Sequence, residues 1–257
     1  MPIHINPASH ASLQTRWSPR FSFSCAALHE IYAATEADAP GMTGAGLAFA
    51  RLLTGARPVL WVRQEFLTRE AGAPHAPGLV EFGLDPSHLT FVRVRDAQAA
   101  LQAGLEGARF ASLGAVMIEL WGEAKALDLT ASRRLALAAK ASGTLVLLAR
   151  IAAPPRASAA ETRWRVRSAP SRALAANAPG GPAFSLSLLR HRGGFASGEW
   201  HLEWNRDQGC FEERVAAAAI ANRPRSIAPL PVDMVSVSFD RPGGTGIGGA
   251  SSFRKTG

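Results

Sequence analysis

Lysine is almost missing from this chain. Lys125, Lys140 and Lys255 are its three lysines, so nearly all of the formal charge of +8 comes from arginine. Chemistry that needs an ammonium group on a particular loop is thereby excluded along most of the sequence. Cysteine is equally scarce: Cys25 and Cys210 are too few for a disulfide framework and too far apart in sequence for a metal-binding pair. No run approaches the roughly 18 to 20 apolar residues that a membrane-spanning helix needs, and the N-terminus has no basic segment followed by a long apolar one. A cytoplasmic protein without membrane contact is therefore expected. G-x-S-x-G, H-E-x-x-H and C-x-x-C spacings do not occur, which removes the common hydrolase and metal signatures. His4 and His10 show no metal-site spacing, and His75, His88, His191 and His201 are scattered as surface or capping residues are.

What is present is an ordinary globular chain of 257 residues, 47% apolar, with ample material for a core. Its positive excess favours acidic partners, nucleic acid included. Leu28 to Tyr32 reads as a short strand. A loop of small residues, Thr35 to Gly41, and a helix through Thr54 follow. Continuous apolar runs at Val59–Val62, Leu113–Leu120 and Thr144–Ala149 read as strands covered on both faces. A weaker strand is expected at Leu89–Arg95, and helices at Ala97–Ala108 and Leu127–Ala141. Strands alternating with helices predict an α/β fold with a mostly parallel, twisted sheet flanked by helices. Beyond Pro154 and Pro155 the period changes to two, predicting C-terminal antiparallel strands at Thr162–Ser168, Phe184–Leu188 and Glu199–Trp204. Arg163, Arg165 and Arg167 share one face of the first of these, and Glu199, His201 and Glu203 one face of the last. The two sets could pair across strands. A short helix is expected at Glu212–Ala221. Three regions result: a poorly ordered N-terminal arm (1–26), an α/β domain (27–211) and a flexible tail (212–257).

A strand leading through small residues into a helix is where a phosphate-binding P-loop sits. Its G-x-x-x-x-G-K-[ST] pattern uses glycines to open the backbone N–H groups, a lysine for the terminal phosphates and a hydroxyl for magnesium. The stretch TEADAPGMTGAG, from Thr35 to Gly46, contains no lysine, and Glu36 and Asp38 add negative charge where a polyanion would rest. Thr35, Gly41, Gly44 and Gly46 are the remnants of such a loop. Glu119, in GAVMIELWG, stands where a Walker B carboxylate would leave the sheet. Read alone, it is a residue at the strand edge, solvated or bonded to nearby backbone. No catalytic residue, cofactor or metal follows from this pattern.

The runs LHEIYA, RPVLWVRQEF, APGLVEFGLDPSHL, GAVMIELWG, DLTASRRLALAAKASG and TRWRVRSAPS together resemble the ImuA family, RecA-like and SulA-like accessory factors of bacterial damage-induced mutagenesis. The resemblance covers Ala27 to Phe211. It implies a RecA-like fold and a non-enzymatic role in the SOS response, as an adaptor of a translesion DNA synthesis assembly (a mutasome). The implied partners are an ImuB-type polymerase-like protein, a DnaE-type DNA polymerase and RecA. Against RecA itself, Glu119 corresponds to the magnesium carboxylate and Arg150 lies near a nucleotide-sensing position. Candidate partner contacts are Arg163, Arg165, Arg167, Arg190 and Arg192. Three alternatives remain open at this stage: a weak or atypical RecA-like ATPase, a protein touching DNA through these arginines, and a SulA-like inhibitor of cell division.

Overall fold

The computed structural model describes residues 15–16, 24–194 and 196–214. Most of the expected arm (1–26) and of the expected tail (212–257) lies outside the described residues.

Among the described residues, ten strands form one sheet: β1 (Thr15–Arg16), β2 (Leu28–Ala33), β3 (Val59–Gln64), β4 (Leu89–Val94), β5 (Ala115–Trp121), β6 (Leu145–Ile151), β7 (Thr162–Ala169), β8 (Ala183–His191), β9 (Glu199–Asn205) and β10 (Cys210–Glu213). Their order is β1-β10-β9-β8-β7-β2-β6-β5-β3-β4. From β7 to β4 every pairing is parallel, and from β7 outward to β1 every pairing is antiparallel. The helices are α1 (Ala39–Thr54), α2 (Leu67–Glu70), α3 (Ala76–Glu81), α4 (Ala97–Ala108) and α5 (Leu129–Ser142). The α/β, RecA-like architecture expected from the sequence is the one observed.

The continuous apolar runs become β5 and β6 because both of their faces are covered. On one face Ile31, Met117, Leu147, Trp164 and Val166 pack with α1. On the other, Leu28, Val116, Ile118, Val146 and Leu148 pack with Leu101 of α4 and Leu135 of α5. Asp96 and Asp128 start α4 and α5 by accepting hydrogen bonds from the amides of Ala99 (2.9 Å) and Ala131 (2.6 Å). The antiparallel half is fastened to α1 by aromatic side chains. Phe211 lies 5.3 Å from Phe49 and 5.1 Å from Trp204, ring centre to ring centre. Such pairs contribute about 0.5 to 1.5 kcal/mol each beyond their burial. The Trp204 indole also donates to the Glu81 carbonyl at 2.8 Å, holding α3 against the same cluster.

Three expectations need correction. Glu212 and Glu213 do not open a helix: they belong to β10, because burial of Phe211 carries the β9 hairpin onward. Strand β7 is antiparallel only to β8 and runs parallel to β2 on its other side. The arginine face of β7 does not pair with the glutamate face of β9, because β8 lies between them and offers Ser185 and Ser187 instead.

At the opposite end of β2, His29 is fully buried. Its Nε2–H donates to the Ser24 carbonyl at 2.9 Å, which leaves Nδ1 to accept from the Thr162 hydroxyl at 2.7 Å, while the Trp164 indole donates to that hydroxyl at 2.8 Å. Burial pushes the His29 pKa down to about 4. A histidine with a depressed folded-state pKa binds its proton more readily when unfolded, so its contribution is complete above about pH 6.5 and is lost as pH falls towards 4. Denaturant unfolding across that window should show a loss of up to about 3 kcal/mol. A His29→Gln variant should lose most of that dependence between pH 6.5 and 5, above the carboxylate range; an unchanged slope there would remove His29 as its source.

Candidate functional site

The C-terminal ends of the parallel strands are where open α/β sheets bind ligands, and here they converge on Glu119. This side chain has no exposed surface. Directly across the β3–β5 ladder stands Arg63, itself buried, with Nε 2.8 Å from Glu119 Oε2. The contact is one of charge proximity, since the N–H is not aligned on the oxygen. The rest of the guanidinium donates to the carbonyls of Gly72 (2.8 Å) and Leu67 (3.2 Å), drawing the segment after β3 over the carboxylate. From α1 the Thr43 hydroxyl donates to Glu119 Oε1. Burial pushes the Glu119 carboxyl above its usual range, while Arg63, the Thr43 hydroxyl and the Trp61 indole pull it back. The solvated strand-edge residue expected from the sequence is therefore a buried, ion-paired one.

Contact between Thr43 and Glu119 sets the register of the degenerate loop. With the hydroxyl position of a P-loop at Thr43, Gly41-Met42-Thr43 corresponds to Gly-Lys-Thr, and the lysine position holds Met42, whose side chain is fully buried in the core. No open loop precedes it. The chain makes a single 3-10 turn, Glu36–Asp38, and passes directly into α1. Backbone amides that would circle a phosphate are thus drawn into helical geometry.

Asp38 is buried and ends this turn, at the N-cap of α1. One oxygen accepts from the Thr35 amide (3.0 Å) and the Thr35 hydroxyl (2.7 Å), and the other accepts from the Ser168 amide at the end of β7 (2.9 Å). Burial alone would raise its carboxyl, but these donors and the nearby charge of Arg167 hold it below the ordinary value. An internal anion therefore takes donors that a bound anion would need.

The glycines serve packing. A Cβ at Gly41 would collide with the Ser168 hydroxyl, one at Gly44 would press on the Phe82 ring at 3.0 Å, and one at Gly46 would meet Ile31 at 2.8 Å. Thr35 and Glu36 are exposed, the former at the N-cap of the turn.

The remaining candidates lie elsewhere. Arg150 is buried on the face opposite Glu119, because its register partner is Leu120. Its guanidinium sits 5.9 Å from the Tyr32 ring centre and donates to the Gly122 carbonyl at 3.1 Å. Arg163 is not part of an open basic face: it is 11% exposed and ion-paired to Glu30 at 2.7 Å. Arg165, Arg167, Arg190 and Arg192 are exposed. Among the described residues, no group of three or more His, Cys, Asp or Glu side chains could hold a metal ion, and no helix is long and apolar enough to cross a membrane.

Arg63 was missed by sequence reasoning. Its one signal was a cation interrupting the apolar run VLWV of a covered strand, which demands a buried counter-charge. Met42 and Thr43 were legible once Gly41 is aligned as the second P-loop glycine.

Together these features define a RecA-like α/β protein whose phosphate-loop region is closed by its own side chains. The chain is 36% identical over 185 residues to the Protein ImuA of Caulobacter vibrioides strain NA1000 / CB15N, and equally to that of strain ATCC 19089 / CIP 103742 / CB 15, an alignment covering 63% of this chain and 72% of each relative. It belongs to the ImuA family. No family model matches it.

Losing one member of the Arg63–Glu119 pair strands the other charge in the interior, at a cost of about 3 to 5 kcal/mol. Arg63→Met alone should lower unfolding stability by that amount, whereas Arg63→Met with Glu119→Leu should recover much of it. Additive losses in a double-mutant cycle would show that the two side chains are not coupled.

Proposed function

We propose that this protein is a non-catalytic adaptor of a damage-induced translesion DNA synthesis complex, using a RecA-like body to hold an ImuB-type polymerase-like protein, a DnaE-type polymerase and RecA. The observation that carries the non-catalytic part is the occupancy of the phosphate-loop region. Met42 is buried at the lysine position, Asp38 draws on the Thr35 and Ser168 donors, and Arg63 takes up the charge of Glu119. Phosphoryl transfer depends almost entirely on positioning and charge stabilisation. A site with no ammonium group and a neutralised metal carboxylate supplies neither. Membership of the ImuA family supports the mutagenesis role.

The exposed arginines fit protein contacts better than a nucleic-acid track. On the face that carries Arg165 and Arg167, Glu199 and Glu203 line the strand two places away. Of these, Glu203 is paired with Arg214, and the exposed Glu199 repels the phosphates that a basic stripe would attract.

Affinity purification of the full-length protein from DNA-damaged cells tests the reading. Co-recovery of the polymerase-like protein and of the DnaE-type polymerase is expected. Recovery of neither, with the protein folded and abundant, would count against the adaptor role.

A further inference from the structure

Among the described residues, the sheet has no second helical layer beyond β7. Helices α4 and α5 cover one face over β2 to β6, but among the described residues no helix covers that face over β7, β8 and β9. The uncovered surface is sorted by charge into columns. On β7 stand Arg165 and Arg167, both exposed; neither forms an ion pair or side-chain hydrogen bond among the described residues. On β8 the residues in register with this face are the small Ala183, Ser185 and Ser187, and beyond the bulge the exposed Arg190 stands opposite Arg163. On β9 stand Glu199 and His201, both exposed, and the largely covered Glu203, which is 3.7 Å from the Arg214 guanidinium and accepts from the Arg172 amide at 3.2 Å.

Register fixes which of these share a row. Arg165 lies opposite Ser187, which lies opposite Glu199, and Arg167 lies opposite Ser185, which lies opposite His201. Basic and acidic columns are therefore two strand spacings apart, about 10 Å. That gap keeps them from neutralising each other directly. Glu199 takes instead a hydrogen bond from Ser185 at 2.6 Å.

A surface of this kind complements itself under one rotation. A two-fold axis lying in the interface parallel to β8 exchanges the two columns, so that Arg165 of each copy faces Glu199 of the other in the same row. Arg167 then lies over His201, between the rows of Glu199 and Glu203. An axis across the strands would set basic on basic and acidic on acidic, which is repulsive. Ala183, Ser185 and Ser187 would sit at the axis, where two sheets come closest, with Arg190 further along the same strand beyond the bulge. We infer that this face is the interface of an isologous homodimer, with a second copy of the chain supplying the layer that is absent here among the described residues.

Sedimentation of the full-length protein over a concentration series tests the inference with two charge reversals. Wild type should form a dimer that weakens as salt is raised. Arg165→Glu sets Glu against Glu, and Glu199→Arg sets Arg against Arg, so each variant alone should dimerise more than about tenfold less tightly. Mixed in equal amounts, the two variants should recover a dimer, since each then presents the charge the other lacks. Circular dichroism and thermal midpoints close to wild type show that both remain folded. A monomeric wild type would overturn the inference, as would a dimer indifferent to both reversals or a mixture that stays monomeric. The same holds if Arg165 and Glu199 prove to bind a different polypeptide in place of a second copy.

Discussion

A carboxylate with no exposed surface requires a cation beside it, and for Glu119 that cation is Arg63 from the neighbouring strand. Much of the region around the site follows from this pair. Its guanidinium reaches the carbonyls of Leu67 and Gly72, which draws the chain between β3 and α3 across the end of the sheet. Its charge meets that of Glu119, the carboxylate at the Walker B-like position. Thr43, at the P-loop hydroxyl position, donates to the same carboxylate. The Arg63 guanidinium thus supplies the positive charge beside this carboxylate from the protein itself.

Asp38 completes the substitution from the other side. A P-loop works because its backbone amides and helix N-terminus are left open for a phosphate. Here Pro40 near the helix start and the 3-10 turn before it close the loop, and the Asp38 carboxylate accepts from Thr35 and Ser168. Positive and negative sites alike are satisfied internally. Under the adaptor reading, the edges and faces of the RecA-like body are the parts through which it acts.

The order of strands and helices was legible because periodicity and length report burial directly. The runs at Val59, Leu113 and Thr144 needed cover on both faces, and the alternating segments after Pro155 needed it on one. Pairing was less legible. No periodic signal distinguishes the β7–β2 edge from the β7–β8 edge, so the parallel side of β7 and the position of β8 between the charged columns emerge only from the register. Glu119 was found by its place at the end of a strand, but its partner was not, because Arg63 and Glu119 are far apart in sequence and meet only across the ladder. His29 was invisible for a similar reason, since its partners Ser24 and Thr162 are brought together by the sheet.

The central claim is that this chain fills its own phosphate-loop region. Calorimetric titration of the full-length protein with magnesium and ATP tests it most directly. No saturable heat is expected up to millimolar nucleotide; micromolar binding that is abolished by Glu119→Ala in a folded variant would contradict it.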